Sequence, residues 1–164
     1  MSRTHTVVPS PIGPLTVVRE DGALVRLAMS PPGRFVDAEI GERSDDGFDD
    51  VVRQLGEYFA GERTAFDLPL RPRGSDFELA VWHQLTRIPY GETRSYGDVA
   101  DDIACRAPRA VGQANRNNPI PIVIPCHRVT AAGGGIGGYA GQWEKGEGMD
   151  RKRWLLKHEG AAGF

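Results

Sequence analysis

The stretch SYGDVADDIACRAPRAVGQANR, residues 95–116, predicts two short helices joined by a tight connection. Ser95 can cap the first helix, and Pro108 stands in the first turn of the second, which we place over Arg109–Asn115. Two short helices connected in this way form a candidate helix-turn-helix. Helix pairs are also common in proteins that never bind DNA, so this element alone does not decide the function.

The second of these helices is rich in small residues. Arg109 is followed by Ala110, Gly112 and Ala114. Small side chains permit close approach to a partner surface, and they equally permit close packing on a neighbouring helix. The sequence leaves both interpretations open.

Upstream, three runs rich in β-branched and apolar residues predict an antiparallel meander, over Thr4–Val8, Leu15–Arg19 and Leu24–Met29. Ser30–Gly47 mixes proline, glycine and acidic residues without periodicity, so we expect a surface loop there. Apolar residues at helical spacing predict an amphipathic helix over Phe48–Ala60, which would cover one face of the sheet.

Leu68–Gly74, with two prolines and two arginines, is the best candidate for a linker between domains. We place the boundary after Arg73, which gives domains 1–73 and 74–164. A capping box at Ser75 begins the first helix of the second domain. The expected fold class is mixed α/β: a small N-terminal domain with an antiparallel sheet, and a mostly α-helical C-terminal domain that contains the helix-turn-helix.

A chain of 164 residues can bury a hydrophobic core without disulfides or metal ions. The two cysteines, Cys105 and Cys126, form no disulfide framework, so we expect both to be reduced and the protein to be cytoplasmic. Its histidines and cysteines lack metal-ligand spacing, and no apolar stretch has the length of a membrane span or signal peptide. We expect neither a metal nor a membrane partner.

The formal net charge of −2 argues mildly against nucleic-acid binding. The charge is unevenly distributed, since residues 1–85 carry 9 basic and 14 acidic side chains and residues 86–164 carry 11 and 8. If a polyanion binds, the C-terminal half binds it. Taken alone, so modest an asymmetry is better explained by ordinary variation of surface charge.

A cysteine flanked by proline, histidine and arginine marks the second half of the chain. Ile120–Ile124 has the pattern of a buried strand and leads directly into PCHRV, residues 125–129. Nearby positive charge lowers the pKa of a thiol and makes thiolate available at neutral pH, so Cys126 is a candidate nucleophile. A buried cysteine more often serves as a small hydrophobe, which is the role we expect for Cys105.

The glycine-rich residues 133–141 formally contain the Gly-x-Gly-x-x-Gly pattern of dinucleotide-binding proteins. No helix is predicted directly after the pattern, so we exclude a nucleotide cofactor. Tyr139 suits a pocket wall on which a flat ring could stack, although a plain connecting loop is the default for such a segment.

With PCHRV as its signature, the chain strongly resembles the O6-alkylguanine-DNA alkyltransferases, also called methylated-DNA-protein-cysteine methyltransferases. Further matches occur in the family's order: SPIGPL at 10–15, IPYGE at 88–92, SY at 95–96, RAVG at 109–112, NP at 118–119, GY at 138–139, and LL at 155–156 with HEG at 158–160. The resemblance spans nearly the whole chain.

The resemblance implies a ribonuclease H-like N-terminal domain and a helical C-terminal domain that binds the DNA minor groove and extrudes the damaged nucleotide. It implies irreversible, stoichiometric transfer of the alkyl group of O6-alkylguanine to Cys126, with O4-alkylthymine as a further candidate substrate. It implies no cofactor. The expected protein is a monomer in solution, with cooperative assembly on DNA left open.

The resemblance also assigns a role to each matching residue. Cys126 would accept the alkyl group, His127 would deprotonate it through a water molecule, and Glu159 would orient His127. Arg109 would enter the base stack in place of the flipped nucleotide. Tyr96 would press on the adjacent phosphate and donate toward the leaving guanine.

Asn118 would brace the turn that carries the active-site strand, and Tyr139 would line the substrate pocket with Pro125 and Val129. Arg128 would form an internal salt bridge. The remaining residues expected at the DNA are Ala110, Gly112, Ala114, Asn115 and Arg116. Between Tyr139 and Arg151 the chain is several residues longer than is usual in the family, which leaves the shape of the pocket rim open.

Three alternatives remain. A lesion-binding protein without chemistry would resemble the alkyltransferase-like proteins, which have another residue where Cys126 stands. A cysteine hydrolase would use Cys126, His127 and Glu159 as a triad. A transcription regulator would use the helix-turn-helix alone, which leaves the cysteine signature unexplained.

Overall fold

A computed structural model describes residues 2–30, 32–131, 135 and 147–164. The chain folds into two compact units, Met1–Arg73 and Gly74–Phe164. The first unit is built on a sheet and the second on helices, so the mixed α/β class predicted from the sequence is confirmed.

The first unit contains a four-stranded sheet in the order β3-β2-β1-β4. Its strands are β1 (Arg3–Val8), β2 (Leu15–Glu20), β3 (Ala23–Ala28) and β4 (Glu42–Arg43). The first three strands pair antiparallel, which confirms the predicted meander. Asp21 and Gly22 close the second hairpin with both residues at positive φ, the geometry that matches the twist of the flanking strands.

Helix α2 (Asp49–Phe59) confirms the predicted amphipathic segment. Val51, Leu55 and Tyr58 are buried on one face, at spacings of four and three residues. Gly61 follows at a φ of +78°, a left-handed conformation that lets the chain leave the helix without a steric penalty.

The segment expected to be a surface loop contains regular structure, so that prediction was wrong in part. A 3-10 helix (Pro32–Arg34) and helix α1 (Asp37–Ile40) precede β4, which pairs in parallel with β1. Ile40 is buried with Val18 and Val25, and burying its side chain stabilises this short element. One buried residue in a four-residue helix produces no periodicity that the sequence could reveal.

All of the predicted linker except Gly74 belongs to the first unit. The N–H of Leu24 donates to the carbonyl of Pro69 at 2.9 Å, and the N–H of Arg71 donates to the carbonyl of Leu24 at 2.8 Å. Arg73 then donates to the buried carboxylate of Glu20 at 2.6 Å. Backbone hydrogen bonds of this kind do not depend on side-chain composition. The prolines therefore suggested a linker, although the segment pairs with β3.

The second unit contains four α-helices, a 3-10 helix and one short strand pair among its described residues. The helices are α3 (Asp76–Leu85), α4 (Tyr96–Asp102), α5 (Pro108–Arg116) and α6 (Glu147–His158), and β5 (Arg94–Ser95) pairs in parallel with β6 (Val129–Thr130). Within the described part of the chain, every helix is too short or too polar to cross a membrane.

Three of these helices begin at the capping residues and the proline that the sequence predicted. The Ser75 and Ser95 hydroxyls accept from the N–H groups of Glu78 and Asp98, and each carboxylate accepts in return from the N–H of its capping serine. Pro108 occupies the first turn of α5. Helices α4 and α5 therefore form the predicted helix pair.

Helix α3 holds the C-terminal end of α5. Trp82 is buried, and its Nε1 donates to the carbonyl of Ala114 at 2.7 Å. Asn117, directly after α5, donates from Nδ2 to Glu78 Oε2 at 3.1 Å. Two long-range hydrogen bonds thus fix the last turn of α5 within this unit.

Candidate active site

The residues before the cysteine form a buried turn and not the predicted strand. Ile122 has a φ of +76°, and the N–H of Ile124 donates to the carbonyl of Ile120 at 2.9 Å. Asn118 holds both sides of the turn, accepting from the N–H of Ile120 at 3.0 Å and donating to the carbonyl of Ile124 at 2.8 Å. Because a β-branched residue at positive φ is strained, the side chain of Asn118 compensates for that strain.

Cys126 begins a 3-10 helix, Cys126–Arg128, which leads into β6. Its side chain is buried, and its carbonyl accepts from Nδ2 of Asn115 in the last turn of α5 at 3.3 Å. The backbone at Cys126 is therefore helical and does not continue the strand predicted over Ile120–Ile124. Cys126 and His127 are therefore not directed to opposite sides as neighbours in a strand would be.

His127 forms a buried pair with Glu159. The His127 Nε2 and Glu159 Oε2 atoms lie 2.7 Å apart, and neither side chain is exposed. Burial lowers the pKa of His127, and the opposing effect of Glu159 does not restore it, so the imidazole is neutral at pH 7. In this state Nε2 carries the proton and donates to the carboxylate, which leaves Nδ1 as an acceptor.

The free acceptor gives His127 the properties of a base. Nδ1 is buried and has no hydrogen-bond partner among the residues that the structure describes. A buried acceptor without a partner is costly, and a water molecule or a nearby acidic proton would satisfy it. His127 directly follows Cys126, so the thiol is the closest acidic proton along the chain.

Arg128 and Glu159 form the salt bridge predicted for Arg128. Nε and Nη2 of Arg128 donate to the two carboxylate oxygens of Glu159 at 2.8 and 3.0 Å, and Nη1 donates to the carbonyl of Ile88 at 2.7 Å. Burial raises the pKa of Glu159, but hydrogen bonds and charges from His127 and Arg128 outweigh burial and hold the pKa well below its usual range. Glu159 is therefore ionised and can fix the orientation of His127.

Sequence reasoning missed Lys152. This side chain is fully buried in α6, and its Nζ donates to the carbonyl of Val129 at 2.7 Å. Its helix face also carries the buried residues Met149, Leu155 and Glu159, at spacings of three and four. A lysine within this stripe was the feature of the sequence that could have indicated a buried charge.

The residues expected at the DNA fall on two faces of α5. Arg109 and Arg116 are exposed and Ala110 is half-buried, whereas Gly112, Ala114 and Asn115 are buried. Gly112 packs beside Tyr96, since a Cβ at this glycine would lie 3.9 Å from the ring of the half-buried tyrosine. For the three buried residues, packing within the unit is the interpretation that the structure favours.

Of the predicted pocket residues, Pro125 and Val129 are buried next to the 3-10 helix, and Tyr139 lies outside the described residues. No group of three or more histidine, cysteine, aspartate or glutamate side chains in the described ranges could hold a metal ion.

The unit that carries the helix-turn-helix thus also carries a cysteine beside a histidine base. This combination fits a DNA-binding protein that takes a chemical group onto a cysteine. Two family models agree and together cover most of the chain. Residues 4–72 match the ribonuclease-like domain of 6-O-methylguanine DNA methyltransferase, and residues 76–161 match its DNA binding domain. The chain belongs to the 6-O-methylguanine DNA methyltransferase family.

Individual relatives are similar over nearly their whole length. The methylated-DNA–protein-cysteine methyltransferase of Mycolicibacterium paratuberculosis is 47% identical over 94% of this chain and 91% of its own. The Methanosarcina acetivorans protein of the same name is 40% identical over 96% and 98%. The crystal structure of the Mycobacterium tuberculosis O6-methylguanine methyltransferase matches with a TM-score of 0.84 at 45% identity, over 96% of this chain and 93% of its own. Mycobacterium tuberculosis OGT in complex with DNA matches with a TM-score of 0.82 at 45% identity, over 95% and 92%.

Proposed function

We propose that this protein repairs DNA directly by moving the alkyl group of O6-alkylguanine in duplex DNA onto Sγ of Cys126, once per protein molecule. The observation that carries the proposal is the buried neutral His127, held by an ionised Glu159 and left with a free acceptor nitrogen next to Cys126. The family membership and the DNA complex of a relative at 45% identity support the choice of substrate.

The reaction needs one proton transfer before the displacement. The Cys126 thiol gives its proton to Nδ1 of His127 through a water molecule, and Glu159 stabilises the imidazolium that forms. The thiolate then attacks the alkyl carbon, so the S–C bond forms as the C–O6 bond breaks. The electron pair of the broken bond stays on guanine, which accepts a proton from the Tyr96 hydroxyl.

The product is a thioether, which is stable in water. The thiolate supplies the electron pair for the new bond, and the reaction requires no oxidant, reductant or cofactor. The described site offers no second nucleophile that would remove the alkyl group from Cys126. Each protein molecule therefore reacts once.

DNA binds through the helix-turn-helix in the minor groove, and the damaged nucleotide is flipped out of the stack. Arg109 takes the place of the flipped nucleotide, while Ala110 and Arg116 contact the adjacent backbone. Tyr96 at the start of α4 acts on the phosphate beside the lesion, and its ring lies beside Gly112. Tyr139, Pro125 and Val129 line the base pocket.

Three further features rest on the sequence alone. The resemblance implies O4-alkylthymine as a further candidate substrate and a monomer in solution. Two reduced cysteines without a disulfide framework favour the cytoplasm.

The proposal is tested by stoichiometry. When excess duplex with a radiolabelled O6-methylguanine is added, labelled protein should accumulate until one methyl group is bound per protein molecule and then stop. Release of many methyl groups per molecule would support a hydrolase instead. Tight lesion binding without any labelled protein would support a binding protein without chemistry.

Arg109→Ala should slow the repair of duplex DNA more than the reaction with free O6-benzylguanine, because only the duplex requires base flipping. Flipping costs a few kcal/mol, and losing about 1.4 kcal/mol of compensation slows duplex repair about tenfold. Arg153→Ala is a matched control, since Arg153 is an exposed arginine on α6 of the same unit. Equal losses on both substrates would contradict the role given to Arg109.

A further inference from the structure

A fully buried lysine lies beside the active-site turn. Lys152 is inaccessible to solvent, although lysine is among the residues least often buried. The proton path from Cys126 through His127 to Glu159 does not include it. Burying an ammonium group costs several kcal/mol unless other groups compensate, so its position requires a physical reason.

The surroundings of Lys152 provide that compensation. Its Nζ donates at 2.7 Å to the carbonyl of Val129, the residue that directly follows the 3-10 helix of Cys126. Burial lowers the pKa of Lys152 to about 8, while the charge of Cys126 acts in the opposite direction. Lys152 is therefore still charged at pH 7 and lies within Coulomb range of the sulfur.

The same ammonium group acts on the base. Burial is the main cause of the lowered pKa of His127, Glu159 opposes it, and the charges of Arg128 and Lys152 lower the pKa further. A positive charge at this place thus favours both a neutral imidazole and an ionised thiol. Tyr90 is a further titratable group at the site, and its ring packs against Arg128.

Helix α6 supplies charges to both ends of the site. It contains Lys152, and Glu159 follows its last residue, seven positions and about two helical turns further along. The helix packs against the 3-10 helix Cys126–Arg128, so one element determines the position of the ammonium group and of the carboxylate.

We infer that Lys152 is a positioning residue for Cys126: its charge stabilises the thiolate, and its hydrogen bond to Val129 holds the turn that presents the sulfur. The inference rests on the proposed function in one respect, namely that Cys126 is the alkyl acceptor. The buried ammonium group gains a counter-ion whenever the thiol ionises, which compensates for its own burial.

The test uses the full chain with Cys105→Ser, so that Cys126 is the single thiol. Lys152→Gln keeps a hydrogen-bond donor without the charge, and Lys152→Arg keeps the charge. Lys157→Gln is the matched control, because Lys157 is exposed on the same helix. Ionisation of Cys126 is followed by the ultraviolet absorbance of the thiolate as the pH is raised, with Cys126→Ser as the blank.

We expect the midpoint of thiol ionisation to rise by about one pH unit or more in Lys152→Gln and to stay in place in Lys152→Arg and Lys157→Gln. Methyl transfer by Lys152→Gln should be about tenfold slower at pH 7, and the deficit should shrink as the pH rises, because one pH unit is a tenfold change in thiolate. Lys152→Met, of similar length, gives the same readout should the glutamine variant not fold.

An unchanged midpoint in the uncharged variants, or a rate reduced equally at every pH, would overturn the inference and leave Lys152 as a structural residue. The titration requires no DNA. Absence of methyl transfer in the unaltered protein would therefore refute the proposed function while the thiolate measurement still decided the role of Lys152.

Discussion

Replacing Cys126 by serine should reduce methyl transfer to below detection and leave lesion binding intact. A serine hydroxyl is far less acidic than a thiol, and the neutral His127 cannot generate an alkoxide in its place. The side chain is buried and the substitution changes little in size, so the turn and the hydrogen bond from Asn115 to the residue 126 carbonyl should persist.

The measurement is the intact mass of the protein after incubation with duplex containing O6-methylguanine, followed by mapping of the modified peptide. The unaltered protein should gain one methyl group, located on Cys126. Cys105→Ser is the matched control, because Cys105 is half-buried and its Sγ makes hydrogen bonds with the backbone of Ala107 in the α4–α5 connection. Methyl groups on Cys126→Ser, or their loss from Cys105→Ser, would show that the acceptor is misassigned.

Features set by neighbouring residues were predictable from the sequence. The capping boxes at Ser75 and Ser95, the proline at the start of α5 and the stripe of α2 each depend on residues within one or two helical turns. The antiparallel meander is equally local, because its hairpin turn is encoded by Asp21 and Gly22.

The turn before Cys126 was mispredicted for a physical reason. Ile120–Ile124 is as apolar and as buried as a central strand, and burial alone does not distinguish a strand from a turn. The side chain of Asn118 takes over the hydrogen bonds that a partner strand would provide. Pro121 and Pro125 lack the backbone N–H groups that a central strand donates to its neighbours. These two prolines were the feature of the sequence that argued against a strand.

The pairing of His127 with Glu159 and Arg128 could be assigned only through the family resemblance. His127 and Glu159 are separated by 32 positions, and Arg128 lies 40 positions from the carbonyl of Ile88. No periodicity connects residues at such distances, so these contacts become visible only in the fold. The resemblance did not identify Lys152. The sequence shows that this residue is charged, but its burial beside the active site becomes visible only when α6 is packed against the 3-10 helix.

Glu159→Gln should lower the free energy of unfolding by about 3–5 kcal/mol, the cost of leaving a buried charge without its partner. Glutamine preserves the shape but leaves the guanidinium of Arg128 unpaired, with its side chain only 8% exposed. Glu57→Gln removes the same charge from partly exposed pairs with Arg53 and Arg63 and should cost about 0–1 kcal/mol. Urea unfolding at pH 7 measures both.

The pH dependence of this loss follows from the lowered pKa of Glu159. A carboxyl group whose pKa is lowered by folding contributes its full stabilisation at pH values above its pKa in the unfolded chain, about 4.3. This contribution disappears as the pH falls through the pKa of the group in the folded protein. The difference between the protein and Glu159→Gln should therefore be complete at pH 7 and diminish only below about pH 4. A difference that grows toward acid would contradict the ionised state assigned to Glu159.

The double variant Arg128→Met with Glu159→Gln separates stability from chemistry. Removing both charges leaves neither partner of this pair as an uncompensated ion, so much of the lost free energy of unfolding should return. Methyl transfer should stay slow, because His127 still lacks the carboxylate that fixes its tautomer and stabilises the imidazolium. If the double variant recovered both properties, Glu159 would be needed only to neutralise Arg128. The base would then have to be oriented by other groups.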